Sequence, residues 1–432
     1  MVAGQESRFK AWNLTGLLVL LYIVNWGDKA VLGLVAQPLS EELGVSATQI
    51  GLASSAFFLA FTLGGLFAGL LNRWMAIKWT LVLLSLGWAL SMLPVVFAAT
   101  FAVLLVSRMV LGLTEGPASA IIHTGTYSWH PKEKRGLPSA CITAAASIAK
   151  IVVAPVLAVV VATWGWRAAF VVLAAAGVLW CAIWLLAWEE GPYGEQNSKK
   201  AEADSDTSAK KNSVPSVPWI RIFAMPSFLG GAAATFAMYG LVTVVLTWLP
   251  SYFEVGLGFS RVQAGTMFGF PSIASLVLLF VLTSISDRLI ARGATSRILR
   301  GVLPAGGLLL CGISLSTLPY ITVPVLAVVV VSVGYAFGAS IFPLLNSAIS
   351  EIVPPQQLAG TLGVFLAITS AGGLVAPYLT GVIVDNAASA AAGYASAFQV
   401  FGIVAVVGAV LALFMVNPER DAAKLKGTNA PA

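Results

Sequence analysis

A nine-residue pattern occurs twice in this chain and indicates how the rest is organised. Residues 43–51 read LGVSATQIG and residues 257–265 read LGFSRVQAG, so Leu, Gly, Ser, Gln and Gly recur in the same order 214 residues apart. Each copy leads into a long apolar run. At the far ends of those runs, residues 72–73 and 287–288 form a second matching pair at nearly the same offset. The recurrence predicts a chain built as two copies of one unit.

The composition places both copies in a membrane. Of 432 residues, 58% are hydrophobic and 10% are charged, and the mean hydropathy is +0.90. Such a chain has too little polar surface for a water-soluble enzyme. At about 20 apolar residues per bilayer crossing, the chain contains twelve apolar runs, numbered here as spans 1 to 12. We therefore predict an all-α membrane protein and no enzymatic activity.

A polar stretch divides the twelve spans into two sets of six. Residues 189–218 are rich in Ser, Pro and charged residues, a composition typical of a solvated linker. The predicted domains are an N-terminal six-helix bundle at 11–188, a cytoplasmic linker at 189–218, a C-terminal six-helix bundle at 219–416 and a cytoplasmic tail at 417–432.

The distribution of basic residues predicts the orientation. If both termini are cytoplasmic, nineteen of the 24 Lys and Arg residues fall in cytoplasmic segments, and two, Arg167 and Arg261, fall outside. This is the asymmetry of the positive-inside rule. It also explains the pI of about 9.2 without any nucleic-acid partner. Because six crossings separate the copies, they are parallel repeats about an axis along the membrane normal.

Short motifs lie at fixed places along the spans. Span 1 contains Trp26-Gly27-Asp28-Lys29, span 4 has Arg108 and Glu115 seven residues apart, and span 7 closes with W-L-P-S-Y at 248–252. Together with residues 72–73 and 287–288, these motifs resemble the major facilitator superfamily. Within it, they resemble the anion:cation symporter family, whose members carry organic anions such as sugar acids.

The resemblance implies two six-helix bundles that work by alternating access, and it implies gating roles for four residues of the interhelical loops: Asn72, Arg73, Asp287 and Arg288. A loop that merely obeys the positive-inside rule would look similar. This chain also departs from the family pattern. It has Asn72 in place of an Asp, Ser370 in place of an Asn, and Lys29 in place of an Arg, which keeps the charge but loses the bidentate fork.

Five ionisable residues lie within the spans, all in the N-terminal half: Asp28, Lys29, Arg108, Glu115 and Lys150. A charge at the bilayer centre costs at least about 2.5 to 3.5 kcal/mol, so each is a candidate functional residue whatever the family. Arg108 and Glu115 share one helix face because they are seven residues apart. Asp28 lies at a similar depth to Arg108, which predicts that the two pair in at least one state.

The charge balance of this cluster predicts coupling between a proton and an anion. Three cations and two carboxylates leave one positive charge, and protonation of a carboxylate leaves two, so a proton and an anion should favour each other's binding. We predict Glu115 as the first choice of proton carrier and Asp28 as the second. Arg108 and Lys29 are the predicted sites for a substrate carboxylate. Lys150 is either a second anchor, which would suit a dianion, or a side chain that snorkels or serves as a counter-ion for Glu115.

The C-terminal half has no charge within its spans and is expected to contact the neutral body of the substrate. The substrate-binding candidates outside the charged cluster are Trp26, Tyr239, Trp248, Tyr252, Asn346, Thr369 and Ser370. Packing, or a place in the aromatic belt at the membrane interface, is the competing interpretation for each of them.

The sequence thus predicts a monomeric transporter in a bacterial-type cytoplasmic membrane that imports a small organic anion by proton symport. Its expected partners are the substrate and membrane lipid. We expect no cofactor, and we expect the proton to be the coupling ion. Two alternatives remain open: an anion exchanger or uniporter without proton coupling, and an efflux antiporter.

Overall fold

The computed structural model describes residues 2–131, 134–193 and 217–427, and the secondary structure in these ranges is helical. Twelve of the described helices are long and apolar enough to cross a membrane, which confirms the predicted fold class. Spans 1 to 12 are Phe9–Leu43, Ala47–Leu66, Ile77–Phe97, Phe101–Tyr127, Gly136–Trp164, Trp166–Ala187, Pro226–Gly256, Arg261–Ile290, Arg297–Tyr320, Pro324–Ile352, Gly360–Asp385 and Ala390–Met415.

The spans pack into two compact units. Unit 1 comprises Met1–Val45 and Ala56–Asn212, and unit 2 comprises Ser46–Ser55 and Ser213–Ala432. Span 2 is therefore divided, because its first turns pack with unit 2 and the rest packs with unit 1. The predicted N-terminal bundle, 11–188, contains the whole of span 2.

The repeated nine-residue pattern is a helix-start signal. Ser46 accepts a hydrogen bond from the Gln49 amide at 3.3 Å, and the Gln49 side chain accepts one from the Ser46 amide at 2.9 Å. Ser260 and Gln263 form the same reciprocal pair at 3.3 and 3.0 Å. This is a capping box, which satisfies amides that a helix start leaves unpaired. The glycine two residues before each Ser has a positive φ: 64° at Gly44 and 77° at Gly258.

The start of span 2 has a further cap within unit 2. The amides of Ala47 and Thr48 donate to the carboxylate of Asp385 at 3.0 and 2.7 Å. A carboxylate there also meets the positive end of the helix dipole. Ser54 shares a hydrogen bond of 2.7 Å with Thr247 of span 7. Together with the capping box, these contacts hold Ser46–Ser55 on spans 7 and 11.

In unit 1, glycines let spans 2 and 4 approach closely. A Cβ on Gly112 would lie 2.3 Å from the carbonyl oxygen of Phe57, and a Cβ on Gly116 would lie 2.2 Å from that of Phe61. From the other side, a Cβ on Gly64 would lie 2.3 Å from a carbonyl oxygen of span 4. Small residues at such crossings are typical of membrane helices. This seam fixes the height and rotation of span 4, which carries two of the five buried charges.

Three spans contain short π-helical segments, at Ala149–Val153 in span 5, Tyr252–Gly256 in span 7 and Arg297–Val302 in span 9. A π turn inserts one extra residue into the α-helical repeat and is frequently found at functional sites. The first of these segments contains Lys150.

The seam between spans 2 and 4 gives a testable prediction. Gly112→Ala should destabilise the protein by about 1–3 kcal/mol, because the new methyl group meets backbone atoms that cannot move aside. Gly16→Ala is the matched control, since no heavy atom lies within 4 Å of its Cβ position. In a helix this control should be neutral or stabilising. Thermal unfolding in detergent measures both, and equal melting temperatures would contradict the close approach.

Candidate functional site

The structure buries, within unit 1, the five ionisable residues that the sequence predicts to lie inside the membrane. Asp28 is 1% exposed, Arg108 3%, Glu115 0% and Lys150 7%. The side chain of Lys29 is 4% exposed. Spans 1, 4 and 5 supply them, and none faces the lipid side of its helix. The cost of burying charge in hydrocarbon therefore has to be met by contacts inside the unit.

Lys29 and Glu115 form an ion pair at the centre of this cluster. Lys29 Nζ lies 2.6 Å from Glu115 Oε2. The ammonium also donates to Asn25 Oδ1 and lies 5.1 Å from the ring centroids of both Trp26 and Phe61. Aromatic faces attract cations, so four groups stabilise one buried ammonium. Glu115 is thus balanced by Lys29, a partner that the sequence analysis did not assign to it.

Asn25 belongs to the same cluster but was not among the predicted site residues. It is completely buried, and it lies one turn before Lys29 on the same face of span 1. Its sequence signal is an uncharged polar side chain four residues before a charged one, inside an apolar run. The Asn25 side chain also interacts with the Glu115 carboxylate.

Arg108 contacts the backbone of Asp28 instead of its carboxylate. Arg108 Nη1 donates to the carbonyl oxygen of Asp28 at 3.1 Å, and the guanidinium lies 5.6 Å from the ring centroid of Phe170. The predicted proximity of spans 1 and 4 at this depth is present, but the side chains are not hydrogen-bonded to each other. Within the described residues, both Asp28 carboxylate oxygens and Arg108 Nη2 lack a hydrogen-bond partner.

Unpaired donors and acceptors are concentrated in this cluster. The donors are Trp26 Nε1 and Arg108 Nη2, and the acceptors include the two Asp28 oxygens. Buried polar atoms are normally satisfied, and those left unpaired by the protein can bind a ligand or water. An anion can accept hydrogen bonds from these donors, and a proton can neutralise the Asp28 carboxylate.

Lys150 is buried in the π-helical segment of span 5. That segment packs directly on span 1, because a Cβ on Gly27 would lie 3.2 Å from Val153 Cγ1. Gly27 precedes Asp28 in the chain. Lys150 is therefore on the helix segment that faces the charged part of span 1.

The structure separates the candidates of the C-terminal half into two groups. Three are fully buried and have partners inside unit 2. Trp248 Nε1 donates to the Pro377 carbonyl at 3.0 Å, and the Tyr252 ring lies 5.1 Å from that of Phe398. The third is Thr369, which shares a hydrogen bond of 2.7 Å with Thr235. These contacts fix helix packing. The other three, Tyr239, Asn346 and Ser370, are half-buried.

The four predicted gating residues are only partly described. Arg73 and Arg288 are exposed at the ends of their helices. The side chains of Asn72 and Asp287 lie outside the described residues.

Comparisons with known proteins agree with the fold described above. The sequence profile of the Major Facilitator Superfamily matches residues 18–340 and 305–431. The chain belongs to the major facilitator superfamily. This assignment confirms that the protein is a transporter and not an enzyme, with the multi-pass membrane fold that the sequence predicted.

Relatives of known or inferred function match along nearly the whole chain. A probable sulfoacetate transporter of Cupriavidus necator is 28% identical over 96% of this chain and 95% of its own length. A probable galactarate/D-glucarate transporter of Bacillus subtilis is 26% identical over 96% and 94% of the two chains. A hexuronate transporter of the same organism is 24% identical over 93% of each.

Solved structures show the same fold. A bacterial homologue of the human lysosomal transporter Spinster matches with a TM-score of 0.77 at 19% identity, over 98% of this chain and 99% of the other. A D-xylose-proton symporter matches with a TM-score of 0.75 at 16% identity, over 95% and 99%. At these identities the likeness concerns the fold alone.

The Lys29–Glu115 pair gives a second prediction. Lys29→Met should destabilise the protein by about 3 kcal/mol, because it leaves Glu115 buried without its cation. The double variant Lys29→Met/Glu115→Gln should recover at least about 1 kcal/mol of that loss.

The exposed pair of Lys10 and Glu189 supplies the matched control. Their side chains are 42% and 67% exposed, so Lys10→Met should cost less than about 1 kcal/mol. Thermal unfolding of the four proteins measures these differences. A double variant less stable than Lys29→Met alone would show that the pair is not the contact that Lys29 stabilises.

Proposed function

We propose that this protein is a secondary transporter that imports a small organic anion by proton symport with alternating access. The relatives described above are named as transporters of sulfoacetate, galactarate or glucarate, and hexuronate. Each of these substrates is a small anion with at least one carboxylate. A carboxylate-bearing anion is therefore the substrate class that we infer for this chain.

One observation in the structure carries the proposal. Arg108 is a buried guanidinium held at Nη1 by the Asp28 carbonyl, while Nη2 has no hydrogen-bond partner among the described residues. A buried cation with an unused donor is unfavourable unless something anionic binds to it. A substrate carboxylate fits that requirement. The planar guanidinium also orients a bound carboxylate, because its N–H groups point in fixed directions. We assign Arg108 as the principal substrate-binding residue.

The Lys29–Glu115 pair offers a route for coupling. A proton on Glu115 removes the negative charge that balances Lys29, and the buried ammonium then needs another anion. A substrate carboxylate can take that place. Substrate and ionised Glu115 thus compete for one cation, so protonation of Glu115 strengthens substrate binding, and the reverse also holds.

Asp28 is the second candidate for the proton carrier. Its carboxylate is 1% exposed and accepts no hydrogen bond from the described residues. An ionised carboxylate in such a place is costly, and a proton removes most of that cost. The two candidates differ in consequence, because a proton on Glu115 releases Lys29 and a proton on Asp28 does not.

Lys150 would extend the same chemistry to a dianion. Sulfoacetate and galactarate each carry two acidic groups, and Lys150 lies in the segment of span 5 that packs on span 1. We propose Lys150 as the anchor for the second acidic group, and we propose the half-buried Tyr239, Asn346 and Ser370 as contacts for its neutral part.

The orientation in the membrane is also part of the proposal. The excess of Lys and Arg in alternate loops supports cytoplasmic termini and a cytoplasmic linker. With this sidedness in a bacterial-type inner membrane, inward symport would use the prevailing proton gradient. We propose that the monomer is the transport unit and that the proton is the only coupling ion.

Glu115→Gln tests the coupling. In proteoliposomes with inward proton gradients, a gradient of about one pH unit supports up to about tenfold accumulation by a one-proton symporter. We expect Glu115→Gln to lose this accumulation yet keep exchange of labelled for unlabelled substrate. Arg108→Gln should lose both activities. The exposed Glu41→Gln is the matched control and should keep both.

Radiolabelled sulfoacetate, galactarate and a hexuronate serve as substrates in this assay. Unchanged accumulation by Glu115→Gln would remove Glu115 as the carrier. If Asp28→Asn then shows the uncoupled behaviour, the proton belongs to Asp28. If both variants accumulate substrate normally, neither carboxylate is the proton carrier. If the wild type exchanges substrate but does not accumulate it, the exchanger or uniporter alternative replaces symport.

A further inference from the structure

A pocket of about 290 Å³ lies at one end of unit 2, away from the buried charges of unit 1. Its walls come from the short helix Trp219–Phe223, the first residues of span 7 and the C-terminal helix Pro418–Gly427. The residues that line it include Arg221, Met225, Pro226, Asp421, Lys424 and Leu425. At this volume it suits a small group better than a drug-sized molecule.

Specific hydrogen bonds hold the C-terminal helix in place and so define the pocket. Asp421 accepts a hydrogen bond from the Ser227 amide at 2.9 Å, and Ser227 Oγ accepts one from the Asn417 amide at 2.8 Å. The side chain of Glu419 accepts one from the Ser296 amide at 2.6 Å. The helix is therefore tied to the starts of spans 7 and 9.

Three side chains of the pocket lining are charged, two of them basic and one acidic. Arg420 Nε donates to Asp421 Oδ1 at 2.8 Å, so these two charges balance each other. Burial alone would raise the pKa of Asp421, but hydrogen bonds from Arg420 and Ser227 hold it below its ordinary value. Asp421 thus stays ionised and paired. Arg221 and Lys424, both exposed, add two positive charges from different walls.

Exposed apolar side chains lie close to Arg221 and Met225 along the chain. Ile220 is 74% exposed and Trp219 is 46% exposed, and both precede Arg221 in the short helix. Leu229, 48% exposed, lies one turn further into span 7 than Met225, which lines the pocket. Trp at a span end is typical of the bilayer interface. At that interface the phosphate groups of lipids meet the first segments of their acyl chains.

We propose that this pocket binds the phosphate head group of an anionic phospholipid. Arg221 and Lys424 contact the phosphate, and the acyl chains lie along Ile220 and Leu229. Clusters of basic residues next to spans attract anionic lipids in this way. A free phosphate ion offers the same charge, but it gives no role to the exposed apolar side chains.

Native mass spectrometry of the full-length protein tests the proposal. The protein is released from bilayers of phosphatidylcholine with and without phosphatidylglycerol, and the bound phosphatidylglycerol is counted. Loss of two basic contacts should reduce its retention about tenfold or more in Arg221→Gln/Lys424→Gln. Arg292→Gln/Arg297→Gln removes two exposed basic residues elsewhere in unit 2 and should retain the lipid. Equal retention by both double variants would overturn the proposal.

A second measurement separates the two sources of phosphate. Thermal unfolding is followed in neutral detergent with added phosphatidylglycerol or inorganic phosphate. Lipid binding predicts a stabilisation by phosphatidylglycerol that Ile220→Ser weakens and inorganic phosphate does not reproduce. If inorganic phosphate stabilises the wild type as strongly, and Ile220→Ser equally, the pocket binds a soluble anion and the lipid assignment is wrong. Size-exclusion profiles confirm that each variant is folded.

Discussion

The cost of placing charge in hydrocarbon governs the N-terminal half of this protein. Five ionisable side chains are buried there, and ion-pair, hydrogen-bond and aromatic contacts lower that cost for Lys29, Glu115 and Arg108. Lys29 shows this most clearly, since a carboxylate, an amide oxygen and two aromatic rings surround one ammonium. Both Asp28 carboxylate oxygens and Arg108 Nη2 lack a hydrogen-bond partner among the described residues, so these atoms are the candidates for binding a proton and a substrate.

Close helix contacts make this arrangement possible. In unit 1 the glycines of spans 2 and 4 bring backbone against backbone, so the charged face of span 4 has little freedom to rotate. Unit 2 uses the same device, because a Cβ on Gly51 would lie 2.3 Å from the Pro377 carbonyl and one on Gly381 equally close to that of Ala47. Without a hydrophobic force between helices in lipid, such packing and a few hydrogen bonds must hold the spans together.

Much of this could be predicted from the sequence, for identifiable reasons. Apolar runs of span length are a strong local signal, and charges such as Arg108 and Lys150 stand out against them. Contacts between distant residues have no local signal. Side-chain placement across helices decides two such contacts. One is the ion pair of Lys29 with Glu115, and the other is the hydrogen bond of Arg108 to the Asp28 backbone.

The remaining gaps have similar physical causes. Asn25 carries no charge, so a search for ionisable residues within the spans passes over it, although its spacing from Lys29 was available. The repeated pattern was visible as a repeat, yet its Ser and Gln are a capping box that a search for helix starts would have found. The placement of Ser46–Ser55 in unit 2 depends on Asp385, more than three hundred residues away in the chain, and no local pattern announces such a contact. The π-helical segment that contains Lys150 bears on how this chain is aligned with others. A relative whose fifth span is regular α-helix would have one residue fewer in that turn. An alignment gap placed elsewhere in the span would pair inward-facing side chains with lipid-facing ones, and equivalents of Lys150 would be sought at the wrong position.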